Sequence, residues 1–396
     1  MKIKIIGLRS DETKEYIVKD VERKITENIS GFEIVEGEEF DIPIFAVATG
    51  GVEGQFKEIY RKYSSPYIII YNEFNNSLPA SLEILSFLRE EGLKGVLIDL
   101  KDVSKERIER IFPLSGERIG LIGRPSDWLI ASTYPVEFYK ERFDIDVIYV
   151  PIEEAIENFK HIDEEKAANL AGKLLSNAQN VFDVDLVETK KAFKFYLSLK
   201  EIVEKYRLNH VSVRCFDIIK PLDTTGCIAL SALNDEGVIA GCEGDLPSTI
   251  SMILLKKISH KTPFMANVSG IEEKDSRLFV TFAHCTIGLT IVKNYNLRTH
   301  FETDKGVGIQ GFFEHGPVTV VRVGGKNLDE GFVMAGEEIG VEFSASRCRT
   351  QLRVELPYNA KDYFLREPLG NHHIIVRGNY KNKVIEAFHL LDIKEV

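Results

Sequence analysis

The chain has 396 residues, 44% of them hydrophobic and 28% charged, with a formal net charge of −11, a length that suits two or three domains each burying its own core. The negative balance, without a Lys/Arg block interleaved with aromatics, argues against nucleic acid, and no apolar stretch reaches the length of a bilayer span. Five cysteines without a C-x-x-C spacing read as small buried thiols, and "MKIKIIGLRS" lacks the apolar region of a leader, so a cytoplasmic protein is expected.

In chain order, residues 1 to 115 alternate apolar runs ("KIKIIGL", "IPIFAVAT", "PYIIIYN", "GVLIDL") with helical spacings such as "SLEILSFLREEG". Runs that are apolar throughout belong to strands covered on both faces, which predicts a small α/β domain with a parallel sheet. A second α/β domain, 116–264, opens at "GERIGLIGRPSDWLIAS", whose strand ends at Gly123 and whose helix is expected to start near Ser126 or Asp127. It continues through the helices "EEKAANLAGKLLSNAQNVF" and "LVETKKAFKFYLSLKEIVEKYRL", the strand "HVSVRCFDII" and the helix "STISMILLKKI". From 265 to 396, short strands broken by glycines ("LFVTFAH", "VTVVRVGG", "EIGVEFSA", "TQLRVEL") predict a mostly β third domain. The fold class is therefore α/β: two Rossmann-like parallel-sheet domains followed by a mostly β C-terminal domain.

Seven of nine histidines lie beyond residue 250 and all five cysteines in the second half, so chemistry is sought there. "GCEGDLPSTISMILL" sets Glu243 and Asp245 one residue apart at a strand-to-helix junction. Such acids either cap the helix or project into the crevice beyond the carboxyl edge of the sheet, where they bind a divalent cation and exchange protons. His284 of "TFAHCT", His300 and Glu302 of "LRTHFETDKGVGIQG", and the pair His372 and His373 of "PLGNHHIIVRGNY" are further candidates. Adjacent residues of a strand point to opposite faces, so one of His372 and His373 can face a given site directly. A mixed oxygen and imidazole set suits Mn²⁺ or a similar divalent ion better than structural zinc.

Together these segments, with "ATGGVEGQF", "NNSLPASLEILSFLREEG", "FMANVSG" and "CRTQLRVEL", resemble the L-fucose isomerase and L-arabinose isomerase superfamily, most closely its shorter fucose-isomerase-like members. The resemblance implies three domains, a homo-oligomer (trimer or hexamer) with sites near subunit interfaces, and Mn²⁺ or another divalent metal that binds an open-chain sugar such as L-fucose or D-arabinose. It implies metal ligands at Glu243, Asp245, His284 and His373, with catalytic proton transfer shared among Asp217 and Glu243 or Asp245. Where the arabinose enzymes have a second glutamate, this chain has His284, a departure from the family's pair of acid/base carboxylates. The implied reaction is an aldose-to-ketose conversion through an enediol.

Substrate contacts are expected from His300, Glu302, His372, Arg349 and Trp128, the last offering an aromatic face to the sugar or else a packing role. The loops "ATGGVEGQF" and "NNSLP" are read either as ordinary turns or as segments reaching a neighbouring subunit's site. Two alternatives stand beside the leading one. A sulfonated or phosphorylated sugar would draw on Arg214, Arg349 or Arg377 for charge, and a metal-free sugar-binding or regulatory protein would keep the fold without catalysis.

Overall fold

The structure, a computed structural model, describes residues 2–10, 12, 14–63, 66–111 and 114–396. It divides into two compact units, Met1–Phe112 and Pro113–Val396.

In the first unit, strands β1 (Lys2–Leu8), β2 (Glu33–Ile34), β3 (Ile42–Val47), β4 (Tyr67–Tyr71) and β5 (Gly95–Asp99) form a wholly parallel sheet in the order β2-β1-β3-β4-β5. All six residues of β3 are buried, as a strand covered on both faces requires. The helix Glu15–Asn28 buries Val18, Val21 and Ile25, one stripe at helical spacing. The order reverses at β1, and a crevice is expected beyond the carboxyl ends at such a point. A cavity of about 710 Å³ lies there, lined by Ser10, Thr49, Gly50, Gly51, Asn75 and Asn76 among others.

The second unit contains both remaining parts of the chain. Its parallel sheet has the order β10-β9-β6-β7, from β6 (Arg118–Ile122), β7 (Asp146–Val150), β9 (His210–Val213) and β10 (Ala240–Cys242). The C-terminal part is an antiparallel barrel. Strands β15 (Gly316–Gly324), β18 (His372–Arg377), β11 (Phe264–Lys274), β12 (Arg277–His284), β17 (Thr350–Leu356) and β16 (Glu330–Glu338) follow one another, and β16 closes back on β15. Strand β19 (Lys394–Glu395) extends β16, while β8 (Asn180–Val181), β13 (Asn294–Arg298) and β14 (Gly308–Phe312) make a small third sheet. The fold class read from the sequence is the one observed.

The helix Leu246–Ser259 joins the layers. Every residue from Leu246 to Leu255 is buried, and the helix packs on β9 and β10 on one side and on β11, β15 and β18 on the other. A helix apolar all round belongs inside a core, and one continuous cluster of buried side chains runs from Leu114 to Ile393. Among the described residues no helix is long and apolar enough to cross a membrane.

Two local expectations are corrected. No helix starts at Ser126 or Asp127: the first one after β6 is Val136–Phe143, and the backbone between is a loop whose Ser126 N–H is spent on the Glu243 carbonyl (2.9 Å). "EIGVEFSA" is not a strand; β16 ends at Glu338, Gly340 turns the chain at φ +81°, and Ser344 bonds locally to Gln351 (3.0 Å).

Candidate functional site

Strand β10 ends at Cys242, and the next two residues are both left-handed, Glu243 at φ 64° and Gly244 at φ 69°. At position 244 a Cβ would come within 2.8 Å of Pro125 Cα and 2.9 Å of the Arg124 carbonyl, so glycine is required by space as well as by torsion. The turn is pinned by Gly244 N–H to the Val213 carbonyl and Asp245 N–H to the Cys242 carbonyl, both 3.1 Å. A left-handed glutamate costs about 1–2 kcal/mol. Its effect is to send the two carboxylates in different directions.

Asp245 turns inward. It caps the helix Leu246–Ser259, accepting from Ser248 N–H and Ser248 Oγ at 2.8 Å each. Arg322 Nη1 lies 3.2 Å from its Oδ2, and His372 Nδ1 lies 3.0 Å from the same oxygen. Arg322 also donates to Ser248 Oγ and, through Nη2, to Ser132 Oγ at 2.7 Å. Burial alone would push the Asp245 carboxyl up, but the Arg322 guanidinium, His372 and the Ser248 N–H together hold it well below the usual carboxylate range.

An ionised Asp245 makes His372 Nδ1 the donor. In the neutral ring the lone pair then sits on Nε2, a buried atom with no hydrogen-bond partner that lies 3.8 Å from Glu243 Oε1. Glu243 turns outward. Its Oε2 accepts from Trp128 Nε1 at 2.6 Å, and the indole is 53% exposed.

His284, the last residue of β12, brings a second imidazole, its ring centroid 5.7 Å from that of His372. Its Nδ1 accepts from the Thr286 backbone N–H at 3.3 Å and lies 2.8 Å from Thr286 Oγ1. Burial, then the neighbouring His372, pull the His284 pKa down to about 3, so the ring is neutral near pH 7. Ligand atoms of Cys242, Glu243 and His284 all lie within 4.8 Å of one another. A carboxylate oxygen, a thiol sulfur and an imidazole nitrogen thus converge, with His372 outside that group but its unsatisfied Nε2 3.8 Å from Glu243 Oε1, and oxygen and imidazole donors of this kind fit a divalent cation.

The other expected residues are placed differently. His373 is corrected as a metal ligand: it points away from the acids, its Nε2 bonded to Tyr363 OH (2.8 Å) and its Nδ1 to the Asn371 carbonyl (3.0 Å), among Phe282, Phe332 and Phe364. Strand alternation is the reason, since β18 pairs Asn267 with His372 and Ala266 with His373. Asp245 has its oxygens engaged as above. Asp217 is held by Arg214 (2.9 Å), which also grips Asp127 (3.0 Å), and does not join the cluster. Its neighbour Phe216 packs between Trp128 and His300, with centroids at 5.1 and 5.8 Å. His300 Nδ1 meets Thr303 Oγ1 at 3.1 Å, Glu302 is exposed, and Arg349 donates from Nε to the Thr299 carbonyl at 2.8 Å.

Arg322 and Ser132 were not among the residues expected from the sequence. An arginine amid valines in "VTVVRVGG" was the available signal for the first. Of the cysteines, Cys242 lies beside Glu243, and its Sγ is 2.9 Å from that of Cys215.

No family model matches the chain. It is similar to proteins named sulfoquinovose isomerase from Priestia aryabhattai and from Priestia megaterium (strain ATCC 12872 / QMB1551), each 21% identical over 402 residues, covering 93% of this chain and 88% of the relative. A protein of the same name from Alkalicoccus urumqiensis is 22% identical over 297 residues, covering 70% of this chain and 64% of the relative.

Proposed function

We propose that this chain is an aldose-ketose isomerase, an intramolecular oxidoreductase, that acts on an open-chain sulfonated sugar and depends on a divalent metal. The relatives' name supports the isomerase and the sulfonate. Kinship with the L-fucose and L-arabinose isomerase superfamily, a cytoplasmic setting and a homo-oligomeric assembly belong to the same reading. The observation that carries the metal is His372 Nε2, an unsatisfied buried nitrogen facing the Glu243 carboxylate.

Glu243, His284 and His372 would hold the ion, Mn²⁺ being the expected one, and it would supply Lewis-acid polarisation of the sugar carbonyl and the neighbouring hydroxyl. Glu243 is the carboxylate placed to take the proton from C2 of the aldose. As O1 takes a proton from solvent the sugar becomes an enediol; the carboxyl then returns its proton to C1 as O2 gives its own back to solvent, and the ketose results. Trp128 steadies Glu243 through its N–H and offers an exposed aromatic face to the carbon chain. Asp217, paired with Arg214, is not used as a second base.

Arg349 is the best-suited anchor for the sulfonate. Arg214 is already held by two carboxylates and Arg377 by Glu314 at 3.0 Å, whereas Arg349 has Asp304 at 3.9 Å, itself exposed. The test is metal analysis of the purified protein, then assay of sulfoquinovose, glucose and L-fucose for ketose, with Mn²⁺ and with chelator. Conversion of the sulfonated sugar that chelator stops and Mn²⁺ restores is expected. Conversion indifferent to chelator overturns the metal, preference for L-fucose overturns the sulfonate, and sugar binding without turnover leaves a binding protein.

A further inference from the structure

Behind Glu243, His284 and His372 lies a line of buried polar groups that does not itself carry the reaction. Arg322 stands in the middle of β15 between Val321 and Val323 with its side chain wholly buried. A buried guanidinium is costly unless its surroundings are built for it. Here they are. It meets Asp245 and Ser248 at the start of the Leu246–Ser259 helix, and Ser132 of the loop that also carries Trp128.

The segment leading into His372 is moulded over the same group. Gly370, at φ +139°, has its Cβ position 2.9 Å from Arg322 Nη2 and 3.1 Å from Ser132 Oγ, so a side chain there would displace the guanidinium. Asp245 then passes the contact on, with His372 Nδ1 at 3.0 Å and Nε2 left facing Glu243. A carboxylate behind a histidine fixes the tautomer and the orientation of the ring and raises its basicity as a ligand.

We propose that Arg322 and Asp245 are positioning residues: Arg322 holds Asp245, Asp245 holds His372 by Nδ1, and the metal is ligated by His372 Nε2 while Asp245 stays outside the ligand set. This rests on the metal-dependent reading above. It assigns a role to an arginine that the sequence reading did not single out, and it moves Asp245 from ligand to support.

The experiment is Mn²⁺ titration followed by electron paramagnetic resonance, with electron spin echo modulation to detect the nitrogen of a bound imidazole. It is run on the full-length protein and on Asp245→Asn, Asp245→Ala, Arg322→Lys, Arg322→Met, Ser132→Ala and Glu243→Ala, with circular dichroism as the check of folding. Asp245→Ala and Arg322→Met are expected to weaken Mn²⁺ about 10- to 100-fold and to diminish the nitrogen signal. Asp245→Asn, which keeps an acceptor for Nδ1–H, should recover most of that loss. Arg322→Lys and Ser132→Ala should lose less than Arg322→Met, and they stand in for it should it not fold.

Glu243→Ala is the yardstick for removal of a ligand. If Asp245→Asn loses Mn²⁺ as completely as Glu243→Ala, Asp245 is a ligand and the inference is wrong. If Asp245→Ala and Arg322→Met, or their milder substitutes, bind like wild type with an unchanged nitrogen signal, it is wrong as well. Wild-type protein that takes up no Mn²⁺ overturns the metal reading first, and this inference with it.

Discussion

The two parallel sheets of this chain are furnished differently beyond their carboxyl edges. Beyond β1, β3 and β4 of the first unit the lining is glycine, threonine and asparagine, and its charged residues Glu12, Lys14 and Glu53 are not buried. Beyond β10 of the second unit lie buried Glu243 and Asp245, with His284 and His372 delivered by barrel strands. The carboxyl edge of a parallel sheet is where ligands are expected in both cases. What sets the second apart is a layer of barrel strands packed close enough to bring imidazoles to the acids and to bury them, because burial is what moves protonation states.

The contrast is sharpest at Glu243. Glu243→Gln is expected to lower turnover by about a thousandfold, within the range for removing a general base, with little change in melting temperature; steady-state kinetics beside a thermal melt measure both. Turnover reduced less than tenfold would mean that the β10 edge is no more reactive than the edge of the first sheet.

The adjacent histidines divide the next effect between function and folding. His372→Ala should weaken Mn²⁺ and turnover by at least a hundredfold. His373→Ala should instead cost about 1–3 kcal/mol in a urea melt, since the Tyr363 hydroxyl loses His373 and keeps only the Leu369 N–H as partner, and leave the folded fraction active. The reverse assignment would show that β18 presents its other face to the site.

Acid gives a smaller and graded effect. Burial first, and for His284 the neighbouring His372, hold the pKa of His284 and of His373 at about 3, against about 6.5 in an unfolded chain. A folded pKa that is depressed means the unfolded state binds more protons. The stability these neutral rings provide is therefore whole above pH 6.5 and falls as pH drops from 6.5 towards 3, by up to about 1.4 kcal/mol per unit for each ring. Melting temperature against pH should show this fall, and in His373→Gln the slope should be roughly halved.

The smallest effect is expected in the first crevice. Asn75→Ala and Thr49→Ala should change turnover less than tenfold. A larger loss would make that crevice part of the reaction, as the reading of its loops as reaching a neighbouring site would have it.

The parallel sheets were legible because β3 and β4 are apolar without alternation, and the barrel because its strands are short and glycine-broken. "EIGVEFSA" has strand composition, yet a glycine at positive φ takes it out of the sheet. At the site, alternation told that one of His372 and His373 would face the acids. Which one depends on pairing with Ala266 and Asn267 of β11, a register that no local pattern contains. The separation of Glu243 from Asp245 was hidden for a similar reason. It comes from a left-handed glutamate, imposed by contacts with the 124–126 backbone rather than by its own preference. Asp217 looked available as a carboxylate because sequence spacing does not reveal that Arg214, three residues earlier, folds back onto it.

The Leu246–Ser259 helix has a further consequence. Because it is buried on every side, neither the parallel sheet nor the barrel can let go of it without baring an apolar surface to water. Residues 114–396 should therefore melt as one cooperative block, and the donors, drawn from both layers, should come into register only when that block is whole. Metal uptake would then count native molecules, one ion for each chain that has finished folding.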